Sequence, residues 1–226
     1  MKRFSLFMSF LFAVTNPGFT QGTTYSPTNK RAINNFRIVL DPGHGGRDSV
    51  TRGGGLLEKN LVLDVSLEIK QFLEKRDYEV LMTRAKDEYI PLSARAALKG
   101  DIFISLHANA VADSIGPSVR SMIKGIDIYT SPEMASKDLL IKSNLLAKSF
   151  ATKLKELKGI TVRGIKKKNL AVLDANLSPA ILIELGFLSN EEDLAFLRNK
   201  YNYKRLAEVI ANAIKDFQRE AAIARD

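Results

Sequence analysis

The chain has 226 residues, 45% of them hydrophobic and 26% charged, with a formal net charge of +9. That composition suits one globular domain with a full core. Cysteine is absent, which excludes disulfides, a thiol nucleophile and any cysteine-based metal site, so a metal would have to be held by His, Asp or Glu.

Residues 1–22, MKRFSLFMSFLFAVTNPGFTQG, read as an export signal: Lys2 and Arg3 precede an apolar stretch from Phe4 to Val14 that is too short to span a bilayer, and NPG then breaks it. Loss of this segment would leave no stable membrane span and would remove two of the positive charges. Residues 23–35, TTYSPTNKRAINN, are polar and aperiodic and read as a linker. A domain is expected over 36–220, with a short tail at 221–226. The expected location is therefore outside the cytoplasm, in the periplasm, at the cell wall or in the medium. A basic exported protein suits an anionic surface such as a wall polymer, and nucleic acid is not expected as a partner.

FRIVL (36–40) is a short apolar run with β-branched residues, the pattern of a buried strand. Between 57 and 77, Leu57, Leu61, Val65, Ile69, Phe72 and Leu73 recur at helical spacing. YEVLMTR (78–84) reads as a strand, PLSARAALKG (91–100) as a short helix, and DIFISLHAN (101–109) as a strand. GIDIYTS (125–131) alternates as a strand does, and 136–159 is a long amphipathic helix stopped by Gly159. AVL (171–173) is expected as a brief strand and AILIELGF (180–187) as a buried one. Asn190 is a suitable N-cap for a helix over 190–200, and a last helix covers 203–222. The lysines at 166–168 read as a solvated loop, with contact to anionic substrate or wall polymer as the alternative.

Strands and helices alternate, which predicts an α/β single domain: a twisted, mostly parallel sheet with helices on both faces. Ligands of such sheets bind beyond the carboxyl ends of the strands. His44 follows the first strand, His107 ends the third, Glu184 ends a late one, and Glu58 opens the first long helix. All four are thus expected at one sheet edge. The chain has only two histidines, and both are in this set. Two imidazoles and a carboxylate form a common catalytic zinc set that leaves one position open. A further carboxylate is then needed to move the proton, and Glu184, in an apolar strand end, suits that part. The glycines at 43, 45, 46 and 53–55 are expected to leave an open floor for a bulky substrate.

The motifs LDPGHGG, EKN, SLHAN and ILIELGFLSN, in this order, resemble those of the zinc-dependent N-acetylmuramoyl-L-alanine amidases, the type-3 amidase family of cell-wall hydrolases. The resemblance spans roughly 36–220. It implies one Zn2+ held by His44, Glu58 and His107, with Glu184 as the catalytic glutamate. The implied reaction is hydrolysis of the peptidoglycan amide between N-acetylmuramic acid and the L-alanine of the stem peptide. Asn109, Arg84 and Asn190 are expected at the substrate. Alternatives are a zinc peptidase cutting within the stem, and a non-catalytic wall-binding protein of the same fold. Residues 110–124 are short beside the equivalent stretch of division-associated relatives, where an inserted helix covers the zinc site, so that form of self-blocking is not expected. An activator or localising protein would be an additional partner.

Overall fold

The computed structural model describes residues 34–48 and 51–223. The expected signal segment and the linker up to residue 33 lie outside the described residues. All described residues belong to one compact unit, Ile33–Asp226.

Six strands make the central sheet. They are β1 (Asn34–Pro42), β4 (Tyr78–Met82), β5 (Ile102–Asn109), β6 (Ile126–Thr130), β7 (Val162–Lys167) and β8 (Ala180–Phe187). Their order across the sheet is β4-β1-β5-β8-β6-β7. Every neighbouring pair is parallel except β6 with β8. A two-stranded hairpin, β2 (Arg52–Gly53) and β3 (Leu56–Leu57), sits between β1 and the first helix. The helices are α1 (Glu58–Glu74), α2 (Leu92–Ala97), α3 (Pro117–Met122), α4 (Lys137–Leu154), α5 (Ala171–Asp174), α6 (Glu191–Arg198) and α7 (Tyr201–Ile223).

Side chains alternate between the two faces of a strand, and the two faces here carry different loads. Ile38, Leu40, Ile102, Ile104, Leu106, Ile181 and Ile183 point to one side, where α1, α4 and α7 cover them in the main core. Val39, Phe103 and Leu182 point to the other, into a small cluster completed by Val172 and Leu173 of α5. By the same alternation His107 and Glu184 fall on that second, thinly covered face. A large core on one side holds the sheet, and the carboxyl half of the other side is left for polar residues.

Three elements differ from the sequence expectation. AVL is one turn of helix, α5, not a strand. These are short apolar residues that fit either state, and Leu170 and Ala171 supply carbonyls that close the turn. The lysines at 166 and 167 are in an edge strand, β7, not a loop. Helix α7 continues through Ile223, so the expected tail is partly helical, and β1 begins at Asn34, inside the expected linker.

Candidate active site

The site grows from the end of β1. Gly43 donates its N–H to the Leu106 carbonyl at 2.9 Å, which keeps the chain tied to β5 past the end of the strand. His44 then takes a left-handed conformation, φ 58°, uncommon for a residue with a side chain. Two buried arginines hold this turn. Arg95 donates to the Asp41 carboxylate at 2.8 Å, to the Pro42 carbonyl at 2.7 Å and to the His44 carbonyl. Arg84 donates to the carbonyls of Pro42 (2.9 Å), Gly43 (2.7 Å) and Lys59 (2.7 Å). Asp41 also accepts from Thr83 Oγ1 and Ser105 Oγ, each at 2.6 Å. The imidazole-bearing loop is thus fixed by charge-assisted bonds to its backbone, which are stronger than neutral ones.

Glu58 is the first residue of α1 and is 3% exposed. Its Oε1 accepts from Ala108 N at 3.0 Å and lies 2.9 Å from His107 Nδ1, while its Oε2 lies 3.2 Å from His44 Nε2. One ligand atom from each of His44, Glu58 and His107 can be chosen so that all lie within 4.8 Å of one another. The two rings stand nearly edge to face, centroids 4.9 Å apart. Without an ion the cluster holds itself by charge. The hydrogen bond to Glu58 raises the His44 imidazole to about 9, against the effect of burial. Burial pushes Glu58 upward, but hydrogen bonds from His107 and His44 outweigh it and hold the carboxyl at about 2. Two neutralisable imidazoles and a buried carboxylate at this spacing fit a divalent metal such as zinc.

Glu184 lies on β8 directly opposite His107 of β5. Its Oε2 is buried and has no hydrogen-bond partner. Desolvation raises its carboxyl to about 7, with the His107 charge opposing. An orphaned carboxylate oxygen on the row of the trio is poised to exchange a proton with something bound there. Just past it the β5–β8 register shifts, between the His107 and Asn109 pairings. The Asp193 carboxylate, accepting from Phe187 N at 2.8 Å and Gly125 N at 2.6 Å, secures that irregularity.

The structure therefore brings His44, Glu58, His107 and Glu184 to one place. Arg84 and Asn190, expected at the substrate, are both buried with their polar atoms bonded to backbone groups. Arg84 is 2% exposed and its guanidinium is occupied by backbone carbonyls. Asn190 is 3% exposed: its Oδ1 caps α6 through Glu192 N and Asp193 N, and its Nδ2 donates to the Ser121 carbonyl. Asn109 stays half-buried at the strand end, with Oδ1 turned to Ala110 N. The glycines are not an open floor either. A Cβ on Gly43 would lie 2.4 Å from the His107 ring, one on Gly45 2.2 Å from the Glu88 carbonyl, and one on Gly53 2.3 Å from the Leu188 carbonyl; of these six glycines only Gly55 faces open space. They are close-approach positions that let loops pack on the site. Sequence reasoning missed Arg95, and also Asp127, the buried register partner of Glu184 across the β6–β8 pair. Asp127 alternates with the core residues Ile126 and Ile128, and that alternation was the available signal for a carboxylate on the site face.

The model of the Amidase_3 family, N-acetylmuramoyl-L-alanine amidase, matches residues 38–216. The chain belongs to this family. It is similar to the "Probable cell wall amidase LytH" of Staphylococcus epidermidis, 33% identical over 80% of this chain and 57% of that one. It is also similar to the N-acetylmuramoyl-L-alanine amidase AmiC of Neisseria meningitidis serogroup B, 30% identical over 91% of this chain and 58% of that one. The chain thus spans little more than half the length of these relatives. Among solved structures, the amidase AmiC2 of Nostoc punctiforme superposes with TM-score 0.71 at 28% identity, covering 81% of this chain and 97% of that one. The amidase of Clostridium difficile 630 gives 0.72 at 28% identity, covering 82% and 98%. The motifs that carry the family resemblance are the segments that build the row described above.

Proposed function

We propose that this protein hydrolyses the amide between N-acetylmuramic acid and the L-alanine of the peptidoglycan stem peptide, with one Zn2+ held by His44, Glu58 and His107. The carrying observation is the row itself: three mutually adjacent donor groups with the orphaned Glu184 carboxylate beside them. Zinc in such a site supplies Lewis acidity, activating water near neutral pH and drawing charge from a carbonyl oxygen. Glu184 does the proton work. Its Oε2 accepts a proton from the attacking water and returns it to the departing amine of L-alanine. A carboxyl brought near 7 by burial can do both in one cycle. Arg84 and Arg95 keep His44 aimed, and Gly43 gives the His107 ring its space. Family membership supports the substrate, and the basic, signal-like N-terminal segment supports export to the wall. Among the described residues no helix is long and apolar enough to cross a membrane.

The test is a digest of purified peptidoglycan followed by mass spectrometry. Release of intact stem peptides beginning with L-alanine is expected. Shortened stems left on the glycan would mean cleavage within the peptide and would overturn the assignment.

A further inference from the structure

Glu184 has a charged neighbour that neither the metal trio nor the proton shuttle uses. Asp127 of β6 is its partner across the antiparallel pair and is 1% exposed. Two cations of the edge strand β7 converge on it: Arg163 Nε lies 3.2 Å from Oδ1, and Lys166 Nζ 2.8 Å from Oδ2. One carboxylate balances one of them, so the group carries an excess positive charge beside the catalytic carboxylate. Both cationic side chains remain partly exposed, at 33% and 40%, so they keep donors for a ligand. Aromatic rings flank them. The Arg163 guanidinium sits 5.2 Å from the Phe187 centroid, and Lys166 and Lys168 lie 5.9 and 5.8 Å from that of Tyr129. Gly164, the register partner of Asp127, has φ +130°, and a Cβ there would meet nothing within 4 Å.

We propose that Arg163 and Lys166 form a subsite for the free carboxylate of the stem residue that follows L-alanine. This rests on the amidase reading of the neighbouring row. Adjacent strands are about 4.8 Å apart, so cations that stem from β7 and reach Asp127 on β6 lie about 5–10 Å from Glu184. L-alanine and the residue after it span about 7 Å when extended, so a peptide running from the scissile amide toward β7 brings the carboxylate of that residue within reach of the two cations. N-acetylated sugars carry no charge to complement this pair, so the proposal puts the peptide side of the substrate over β6 and β7 and the glycan side over the β1 loop.

The test compares two muramoyl dipeptides, one with a free carboxylate on the residue after L-alanine and one with that group as a carboxamide. The wild-type zinc-loaded protein is expected to favour the free acid by about tenfold in kcat/KM, mostly through KM, the worth of one charge-assisted hydrogen bond. Lys166→Met and Arg163→Met, made separately so that Asp127 always keeps one cation, are expected to bring the ratio toward one. Lys167→Met, on the alternate face of β7, is expected to preserve it. A wild-type ratio of one, or variants that slow both substrates by the same factor, would overturn the subsite. A second readout needs neither metal nor turnover. Calorimetry on the metal-free protein should show the product dipeptide acid binding more tightly than its amide, with the difference lost in Lys166→Met. If that discrimination holds while the wild type cleaves neither muramoyl dipeptide, the carboxylate site stands and the amidase reading falls.

Discussion

Arg95→Met removes the side chain that joins the β1 carboxylate to the histidine loop. The guanidinium donates to Asp41 Oδ1 at 2.8 Å, Pro42 O at 2.7 Å, Ile90 O at 2.9 Å and the His44 carbonyl, and is 3% exposed. Methionine keeps much of the volume, so the loss is mainly electrostatic. Asp41 would stay buried with only the hydroxyls of Thr83 and Ser105 as partners. Breaking one side of a buried pair costs about 3–5 kcal/mol, a large part of the roughly 5–15 kcal/mol that holds a domain together. For a domain of this size that is a fall in Tm of about 6–20 °C. The metal-free protein followed by circular dichroism reads this directly. Asp41→Asn combined with Arg95→Met should cost less than the sum of the single changes, because the pair is coupled. Zinc affinity should fall as well, by about 10–100-fold, since the left-handed His44 loses its anchor and outer partners of this kind tune metal sites by that amount. A competition titration with a chromophoric chelator measures it. A Tm loss no larger than that of Lys86→Met, which breaks an exposed pair with Glu88, would refute the reasoning. So would unchanged zinc affinity.

Glu184→Gln should lower kcat by about 10²–10⁴-fold, the range for a lost general acid-base, while zinc content and Tm stay near wild type; loss of metal together with activity would remove the proton role. Gly43→Ala should cost both stability and zinc, because its methyl would have to share space with the His107 ring 2.4 Å away; full zinc occupancy with normal Tm would show that the loop can shift. The metal-free His44 is held protonated to about pH 9 by Glu58, and a ligating imidazole must be neutral. Zinc uptake at pH 7.5 should therefore expel a proton, seen as a dependence of calorimetric heat on buffer ionisation enthalpy, and the release should vanish above pH 9. The same shift stabilises the metal-free fold fully below the ordinary pKa of 6.5 and fades as pH rises through about 9, so its Tm should fall across that window. A flat profile, or uptake without proton release, would contradict the His44–Glu58 contact.

The elements that read clearly in the sequence are those whose apolar period is long and one-sided. Leu61, Val65, Ile69 and Leu73 can bury together only on a helix, and Ile102 to Leu106 only in a covered strand. β7 did not read, because an edge strand is wet: its burial alternates between half-buried and exposed, and Arg163, Lys166 and Lys167 look like loop residues until β6 is known to lie beside them. α5 did not read because a single turn of small apolar residues has no period. The site was legible where it depended on single strand ends, as for His44, His107 and Glu184. It was illegible where it depended on which strands are neighbours. The antiparallel β6–β8 pairing sets Asp127 beside Glu184, and it is a property of the sheet order, not of either segment. Burial was also not legible: Arg84 and Asn190 lie near motifs along the chain, and the fold commits their hydrogen bonds to backbone groups.

The metal centre is tested most directly by zinc per chain after exhaustive dialysis, measured by plasma mass spectrometry on wild type and on His44→Ala, Glu58→Ala and His107→Ala. One zinc per wild-type chain is expected, with little left in any of the three variants that remain folded. A wild type that holds no zinc, or variants that all retain it, would contradict the assignment of these residues as the metal site.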